Sequence, residues 1–310
     1  MDLSEKFRLF RDYWSPKIVG ELNDSYVKLV KLKGEFVWHH HRDEDELFLV
    51  TKGRWFLLSN VPLLGALVYR YVDRRLPGAR TSAVARTRLI DDEWRQAQRD
   101  GIRQIVILGS GFDCRAYRLS GEHSPVVFEV DRPITVASKR ERLRGVLRTI
   151  PQNVRFVEVD FNRQSLGEAL TGARFDSSVP ALFLWEGVTS YLTPEAVDSV
   201  LRYVGSTSPG SRLVFTYVHS GALDSSMDFE GAQRTIHDVA RLGEPWRFGL
   251  SPDQVPDFLR KRGLEPDRDV GAREFRALYF GRDAERMKGY DFYHVVTAHV
   301  PGGAQRPHPE

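Results

Sequence analysis

Apolar and polar residues alternate in short runs through the first part of the chain. The runs Tyr26–Leu32, Glu35–Trp38 and Glu46–Val50 are separated by polar or glycine-containing stretches. Alternation with a period of two places apolar side chains on one face of a strand, and the intervening stretches are typical of turns. The pattern predicts a β-meander within residues 1–57.

The pattern changes after residue 57, where continuous apolar runs alternate with segments of helical length. Val61–Leu76 and Asp91–Arg99 have the pattern of helices, the second ending at Gly101. The predicted strands are Gln104–Gly109, Pro125–Asp131, Val154–Asp160, Ala181–Gly187, Arg212–Val218 and Tyr293–Val300. Strands that take turns with helices, and are apolar throughout, favour an α/β fold with a parallel sheet covered by helices. We expect this domain to occupy residues 58–302, with a loose tail over residues 303–310.

Composition and charge exclude several classes of protein. Of 310 residues, 41% are hydrophobic, which is enough for a core and argues against a disordered chain. The 45 Lys and Arg nearly balance the 42 Asp and Glu, so we expect no nucleic-acid partner. The single cysteine, Cys114, excludes an intrachain disulfide and a cysteine-rich zinc site.

No segment predicts export or membrane insertion. The first residues lack a basic region followed by an apolar one, the pattern of a secretory signal. The most apolar window, Trp55–Tyr69, is interrupted by polar residues and is shorter than the roughly 17–25 residues of a spanning helix. We therefore expect a soluble, cytoplasmic protein that does not bind a membrane.

Chemistry-bearing residues follow the predicted parallel strands. Leu108–Arg115 is a glycine-containing loop directly after the first buried strand, where glycine lets the backbone turn tightly and approach a ligand. Asp131, Asp160 and Glu186 stand at the ends of three later strands, where Asp131 is placed to bind a ribose and Asp160 an adenine amino group. Taken alone, the loop is equally an ordinary tight turn. Four polar strand ends together predict a crevice for a nucleoside cofactor.

The loop departs from the dinucleotide-binding fingerprint. The third glycine of that fingerprint is absent, and Asp113 adds a carboxylate. Both features favour a cofactor without phosphates. S-adenosylmethionine meets this requirement, since its amino-acid end carries an ammonium and a sulfonium.

Motifs in residues 60–300 resemble the leucine carboxyl methyltransferase family, and more narrowly its bacterial branch of S-adenosylmethionine-dependent O-methyltransferases. The motifs are Arg86–Asp92, Gln104–Leu119, Phe128–Pro133, Val159–Asn162, Trp185–Val197, Pro209–Val218 and Gly243–Leu250. The resemblance implies a class I methyltransferase fold, which is a Rossmann-like, mostly parallel sheet with an antiparallel C-terminal strand. It also implies cofactor-binding roles for Arg86, Gly109, Gly111, Asp131, Asp160, Phe161 and Glu186.

Each implied role suits the side chain that would perform it. Arg86 would bind the cofactor carboxylate through two parallel hydrogen bonds, and Glu186 would lie near the methionine end. Gly109 would offer its backbone, and Phe161 would form an apolar wall beside the adenine. The alternative for Arg86 is a surface ion pair with Asp91 or Asp92.

The expected reaction is methyl transfer to an oxygen of a small metabolite. A carboxylate is already ionised at neutral pH and needs no general base, whereas a hydroxyl would need one. His219 is the nearest histidine, and its alternative role is that of an ordinary loop residue. Tyr191, Tyr217 and Trp246 are candidates to line the acceptor pocket or simply to pack. A binding protein with little catalysis is the competing hypothesis.

Gly34–Gly53 resembles the first signature of the cupin family, which implies half a cupin barrel. His39, His41 and Glu46 stand at its ligand positions, and the two histidines share one face of a strand. No second cupin signature follows, so a divalent metal such as Fe, Mn or Zn is expected only if another chain completes the barrel. The alternatives are a metal-dependent cupin oxidoreductase, a structural remnant, and a homodimer that pairs two such segments. In the related family this region carries a helical lid, so either Val61–Leu76 covers the pocket or the site stays open.

Overall fold

The computed structural model describes most of the chain after residue 77 and four strands before it. The described residues are 17–22, 25–29, 46–51, 54–59, 78–119, 124–147, 149–241 and 243–302. The chain divides into two compact units, one of residues 1–75 with 145–148 and one of residues 76–144 with 149–310.

The described part of the first unit is a four-stranded antiparallel sheet. Its strands are β1 (Lys17–Leu22), β2 (Ser25–Leu29), β3 (Glu46–Thr51) and β4 (Arg54–Ser59). Strands β2 and β3 confirm the runs predicted at Tyr26 and Glu46, whereas Glu35–Trp38 lies outside the described residues. The strand order β1-β2-β4-β3 places β4 between β2 and β3, so the described strands do not follow the order of a meander.

The second unit contains a seven-stranded sheet of the predicted kind. Its strands are β5 (Gln104–Leu108), β6 (Val126–Asp131), β7 (Val154–Glu158), β8 (Ala181–Trp185), β9 (Arg212–Val218), β10 (Glu265–Gly271) and β11 (Tyr293–His299). The order is β10-β11-β9-β8-β5-β6-β7, and every pair is parallel except the two that β11 makes with β10 and β9. The α/β class and the antiparallel C-terminal strand are therefore confirmed. The prediction missed β10, because its sequence EPDRDVG is charged, as is common for a strand at a sheet edge.

Helices connect and cover these strands. They are α1 (Ala79–Arg99), α2 (Arg115–Arg118), α3 (Pro133–Val146), α4 (Leu166–Gly172), α5 (Pro194–Gly205), α6 (Ser220–Leu223), α7 (Ala232–Arg241), α8 (Val255–Arg260) and α9 (Ala272–Phe280). Helix α1 ends before Gly101 as predicted but begins 12 residues before Asp91. Its first half buries small residues such as Ala85 rather than a visible apolar stripe, so the pattern did not reveal it. The predicted helix Val61–Leu76 lies outside the described residues.

The core lies on both faces of the seven-stranded sheet. Phe128, Phe183 and Phe215 pack on one face, and Ile105 and Leu182 pack on the other. Each parallel strand buries apolar side chains on both sides, so polar side chains collect where the strands end. The chain leaves β5 for β6 in one direction and later adds β8 on the other side, which makes the carboxyl end of β5 a topological switch point. Among the described helices, none combines the length and the apolar character needed to cross a bilayer.

Candidate functional site

A cleft of about 370 Å³ opens at the carboxyl ends of β5 and β8, within the size range of small-molecule sites, about 300–1,000 Å³. It is lined by Arg86, Thr87, Ile107, Leu108, Gly109, Ser110, Gly111, Phe112, Asp113, Cys114, Arg115, Arg118, Leu184 and Glu186. The predicted residues Arg86, Gly109, Gly111 and Glu186 are thus brought together. They come from three segments that are up to 100 residues apart in the sequence.

The glycine loop forms a tight turn at one wall of the cleft. Gly109 has a φ of +66°, and a Cβ built there would lie 2.3 Å from Cγ2 of Val188. The turn is closed because the Asp113 N–H donates to the Ser110 carbonyl at 2.8 Å. Gly111 also has a positive φ, of +42°. Only glycine meets both demands at position 109, the positive φ and the close approach.

Asp131 at the end of β6 is bound to this turn. Its Oδ2 accepts the Gly111 N–H at 2.7 Å, and its Oδ1 accepts the N–H of Arg132 at 2.7 Å. Two backbone donors therefore orient the carboxylate, and its remaining lone pairs are available to the hydroxyls of a ligand. This geometry suits the ribose-binding role that the sequence predicts.

Arg86 and Glu186, which both line the cleft, form a direct ion pair. Nε of Arg86 donates to Oε1 of Glu186 at 2.7 Å, and the Arg86 guanidinium lies over the Tyr293 ring. Within the described residues neither Nη group of Arg86 has a hydrogen-bond partner. The alternative of a surface pair with Asp91 or Asp92 is wrong, because α1 turns Arg86 toward β8.

Arg115 is a site residue that the sequence analysis missed. Its side chain is 5% exposed and bonds three carboxylates, those of Asp91 (2.8 Å), Asp113 (2.6 Å) and Glu186 (2.7 Å). Arg118 adds two bonds of 2.6 Å to Asp91. A buried guanidinium with three anionic partners ties α1, the glycine loop and β8 together, so this end of the cleft is built as a unit.

The ionisation of these groups follows from their mutual contacts. Burial raises the pKa of Glu186, but the attraction of Arg86 and Arg115 outweighs it, so its pKa lies below the usual value. The pKa of Asp91 is lowered in the same way, since burial is outweighed by hydrogen bonds from Arg118 and Arg115. Burial lowers the pKa of Arg115, but the attraction of Glu186 and Asp113 raises it by more, so its net shift is upward. Glu186, Asp91 and Arg115 are therefore charged at neutral pH.

A sequence signal for this network existed. Arg115 and Arg118 are three residues apart, the spacing that places two side chains on one face of a helical turn. Asp91 lies in the same motif as Arg86. The sequence pattern could not show that Asp91 of the first motif pairs with Arg115 and Arg118 of the second.

Asp113 does not present a free charge to the cleft. Its Oδ2 pairs with Arg115 Nη1, and its Oδ1 accepts the Arg115 N–H at 2.7 Å. Its charge is therefore compensated, and the inference that this carboxylate disfavours phosphates loses its basis. The absence of the third glycine is then the one remaining feature that favours a cofactor without phosphates.

Asp160 and Phe161 lie beyond β7 and do not line the cleft. The Val159 N–H donates to the Asp131 carbonyl at 2.8 Å, so Asp160 follows a residue that is bonded to Asp131. Its side chain is 31% exposed, and Oδ1 accepts the Asn162 N–H at 3.0 Å. Phe161 is 9% exposed and packs near Trp185, with 6.4 Å between ring centroids. The adenine contacts stay predictions.

Two of the three acceptor-pocket candidates share one aromatic cluster. Tyr191 and Trp246 lie in it, and Trp246 is 5.9 Å from Tyr293, whose ring underlies Arg86. Tyr217 belongs elsewhere. It is 1% exposed and stacks on His294.

The hydroxyl of Tyr217 donates to Asp269 Oδ2 at 2.7 Å. Burial, reinforced by that carboxylate, raises the pKa of Tyr217. We assign Tyr217 a packing role. His219 caps α6 by accepting the Gly221 N–H at 3.0 Å, as a loop residue does.

Of the three cupin-like residues, Glu46 alone lies in a described element. His39 and His41 lie outside the described residues, and Glu46 is the first residue of β3. Among the described residues no three His, Cys, Asp or Glu are grouped so that they could hold a metal ion. The metal hypothesis therefore stays a prediction.

Similar proteins were found at the levels of family, sequence and fold. A model described as "Leucine carboxyl methyltransferase" matches residues 46–205. A protein of Mycolicibacterium gilvum (strain PYR-GCK) named "Putative S-adenosyl-L-methionine-dependent methyltransferase" is 36% identical over 189 residues, 58% of this chain and 60% of that protein. One of the same name from Mycobacterium avium (strain 104) is 44% identical over 189 residues, 61% of this chain and 57% of that protein. The chain thus spans less than two thirds of the length of these curated relatives.

The fold has counterparts among solved structures. A "putative methyltransferase" from Thermobifida fusca YX aligns with a TM-score of 0.57 at 22% identity, over 79% of this chain and 91% of that one. A DUF574 family protein from Streptomyces avermitilis MA-4680 aligns with a TM-score of 0.53 at 19% identity, over 75% and 88%. At these identities the likeness concerns the fold. With the family match covering half of the sequence, the chain belongs to the leucine carboxyl methyltransferase family.

Proposed function

We propose that the chain is an S-adenosylmethionine-dependent O-methyltransferase that methylates an oxygen, most simply a carboxylate oxygen, of a small metabolite. The observation that carries this proposal is the joining of the glycine turn to Asp131 at the carboxyl end of the central strands, opposite the Arg86–Glu186 pair. Family membership and the names of the relatives support it.

Each polar part of the proposed cofactor would have a partner of suitable chemistry among these residues. The two Nη groups of Arg86 would bind its carboxylate, and the free lone pairs of Glu186 would accept from its ammonium. Asp131 would accept from the ribose hydroxyls, and Asp160 from the adenine amino group. When bound, S-adenosylmethionine supplies a methyl group on a sulfonium, which a nucleophilic oxygen displaces.

The charges around the cleft suit such a ligand. Arg86, Arg115 and Arg118 are matched by three carboxylates, those of Asp91, Asp113 and Glu186. The cluster is therefore formally neutral, and it neither repels the cationic sulfonium end nor requires a bound anion. The protein would act mainly by holding donor and acceptor in line and by excluding water.

A carboxylate acceptor is favoured because the described site offers no evident base. His219 is engaged as the α6 cap through Nδ1, and burial, followed by the nearby His294, lowers its pKa. Tyr191 and Trp246, beside Tyr293 and Arg86, would then form an apolar wall of the acceptor site. A carboxylate needs no proton removed, so this set of residues suffices.

Two measurements test the proposal. Calorimetric titration of the full chain with S-adenosylmethionine and S-adenosylhomocysteine should show saturable one-site binding, and absence of heat and of a thermal shift would refute it. Methyl transfer from methyl-labelled cofactor into a panel of small carboxylic acids should yield methyl esters. Transfer into phenols or alcohols alone would replace the carboxylate with a hydroxyl acceptor, and binding without any transfer would favour the binding-protein hypothesis.

A further inference from the structure

A buried ion pair beneath the glycine turn has no place in the proposed chemistry. Lys139 of α3 and Glu129 of β6 are joined at 2.9 Å, and their side chains are 4% and 0% exposed. Ion pairs this deeply buried usually contribute little net stability, because the loss of hydration offsets their attraction. The placement of this pair therefore needs another explanation.

The other two hydrogen-bond donors of Lys139 bind the glycine turn. Its Nζ donates to the Asp113 carbonyl at 2.8 Å and to the Ser110 carbonyl at 3.4 Å. These are the first and last residues of the turn that Asp113 N–H closes onto Ser110. An ammonium has three donors, and here one goes to Glu129 and two go to the turn.

Glu129 holds the ammonium in place. Its Oε2 also accepts the Tyr117 hydroxyl of α2 at 3.0 Å, so the carboxylate has two donors on one oxygen. Burial raises the pKa of Glu129 above its usual value, and Lys139 and Tyr117 offset part of that rise. Glu129 on strand β6 thus fixes the ammonium of Lys139, and Lys139 on helix α3 in turn holds the backbone of the turn.

We infer that Lys139 is a positioning residue for the cofactor site, because its ammonium, anchored by Glu129, holds both ends of the Ser110–Asp113 turn. The turn then presents the Gly111 N–H to Asp131 and keeps the ribose position in register with the cleft. This inference rests on the proposed function, since the ligand in question is S-adenosylmethionine.

The test uses a pair of substitutions that removes the charges together. Lys139→Met alone leaves Glu129 buried without its cation, and we expect it to lower the melting temperature strongly. Lys139→Met with Glu129→Gln removes both charges at nearly the same volume, so most of the thermal stability should return. The turn would still lack its ammonium, and we expect the Kd for S-adenosylhomocysteine and the KM for S-adenosylmethionine to rise at least tenfold, with kcat changed less than threefold.

Two controls separate positioning from stability. Tyr117→Phe removes a bond to Glu129 but no bond to the turn, so it should lower stability without raising KM. Arg140→Met removes an exposed cation that neighbours Lys139 in sequence and stacks on Phe156, so it should change neither. If the double variant is as stable as the wild type and keeps wild-type KM and Kd, the inference is wrong.

Amide hydrogen exchange of the ligand-free protein provides a readout that does not depend on the cofactor. Exchange of the amides at residues 111–114 should be at least tenfold faster in the double variant than in Arg140→Met. Unchanged exchange would overturn the inference. If the wild type binds no S-adenosylhomocysteine while exchange accelerates, the proposed function fails and the role of Lys139 in fixing the turn stands. Should the double variant not fold, Lys139→Gln with Glu129→Gln takes its place under the same criteria.

Discussion

The Arg86 end of the cleft and the carboxyl ends of the strands β6 and β7 are built in different ways. At the Arg86 end, Arg115 and Glu186 are 5% and 17% exposed and belong to a network in which every carboxylate has an arginine. At the carboxyl ends of β6 and β7, Asp131 is held by two backbone N–H groups, and Asp160 has a 31% exposed side chain. One region is a closed set of ion pairs, and the other consists of separate side chains at strand ends.

Because of this difference, substitutions in the two regions should affect different properties, namely fold stability in one and ligand affinity in the other. A buried charge that loses its partner destabilises the fold whether or not a ligand binds. A half-exposed carboxylate held by backbone donors contributes little to folding, so its loss is felt mainly by the ligand. We therefore expect mutations at the Arg86 end to lower stability and mutations at the ends of β6 and β7 to lower cofactor affinity.

The largest expected effect is that of Arg115→Met on stability. It leaves Asp91, Asp113 and Glu186 without a shared cation and should lower the free energy of unfolding by about 3–5 kcal/mol. Urea denaturation measures this change. The matched control is Arg202→Met, whose side chain is 60% exposed and pairs with Asp198, and whose cost should stay below about 1 kcal/mol. Equal costs for the two would remove the distinction between the two regions.

Gly109→Ala should lower both stability and cofactor affinity, because the glycine turn lines the cleft and also bonds Asp131. The φ of +66° and the 2.3 Å approach to Val188 predict a loss of about 1–3 kcal/mol in the free energy of unfolding. Adding Val188→Ala should restore part of the loss by removing the colliding methyl group. Gly101→Ala is the control, since its φ of +87° is unfavourable but its Cβ would meet nothing within 4 Å. If Gly109→Ala costs no more stability than Gly101→Ala, the close approach to Val188 does not contribute to the loss.

Asp131→Ala should lower affinity more than stability. Loss of a charged acceptor that binds the ligand's hydroxyls costs about 1–3 kcal/mol, which is about a 5- to 150-fold rise in the Kd for S-adenosylhomocysteine. Titration calorimetry measures it, with Asp257→Ala as a control because that side chain is 82% exposed. An unchanged Kd would place the ribose elsewhere.

The smallest expected effect is a pH dependence confined to the Arg86 end. The folded-state pKa of Glu186 lies below its ordinary value of 4.5, so its ion pairs contribute stability that is complete above that value. The contribution should decline as pH falls from about 4.5 through the folded-state pKa. Urea unfolding of wild type and Glu186→Gln between pH 7 and pH 3 should show their difference shrinking below pH 4.5. A difference that grows on acidification would have the wrong sign.

Local pattern was enough for the elements and for much of the site. Six of the seven strands in the larger sheet are apolar runs; the glycine loop and Glu186 each follow one of them, and Asp131 ends another. Once those strands are parallel, their carboxyl ends meet at one edge, so the sequence could assign the cleft to that edge. Strand β10 was missed because its charged residues hide an edge strand, and the first half of α1 was missed because it buries alanines.

Partner choice was decided only by the tertiary structure. The sequence contains Arg86, Asp91, Asp92, Arg115 and Glu186 but does not determine which carboxylate pairs with which arginine, since long charged side chains can reach several partners. The rotation of α1 and the placement of α2 after the turn decide it, by aiming Arg86 at β8 and Arg115 at three carboxylates at once. Lys139 is a further case, because a lysine in a charged helix resembles a solvated residue until packing buries it against Glu129. Apolar periodicity is a property of neighbours along the chain, whereas the pairing of charges depends on distances that exist only after the chain has folded.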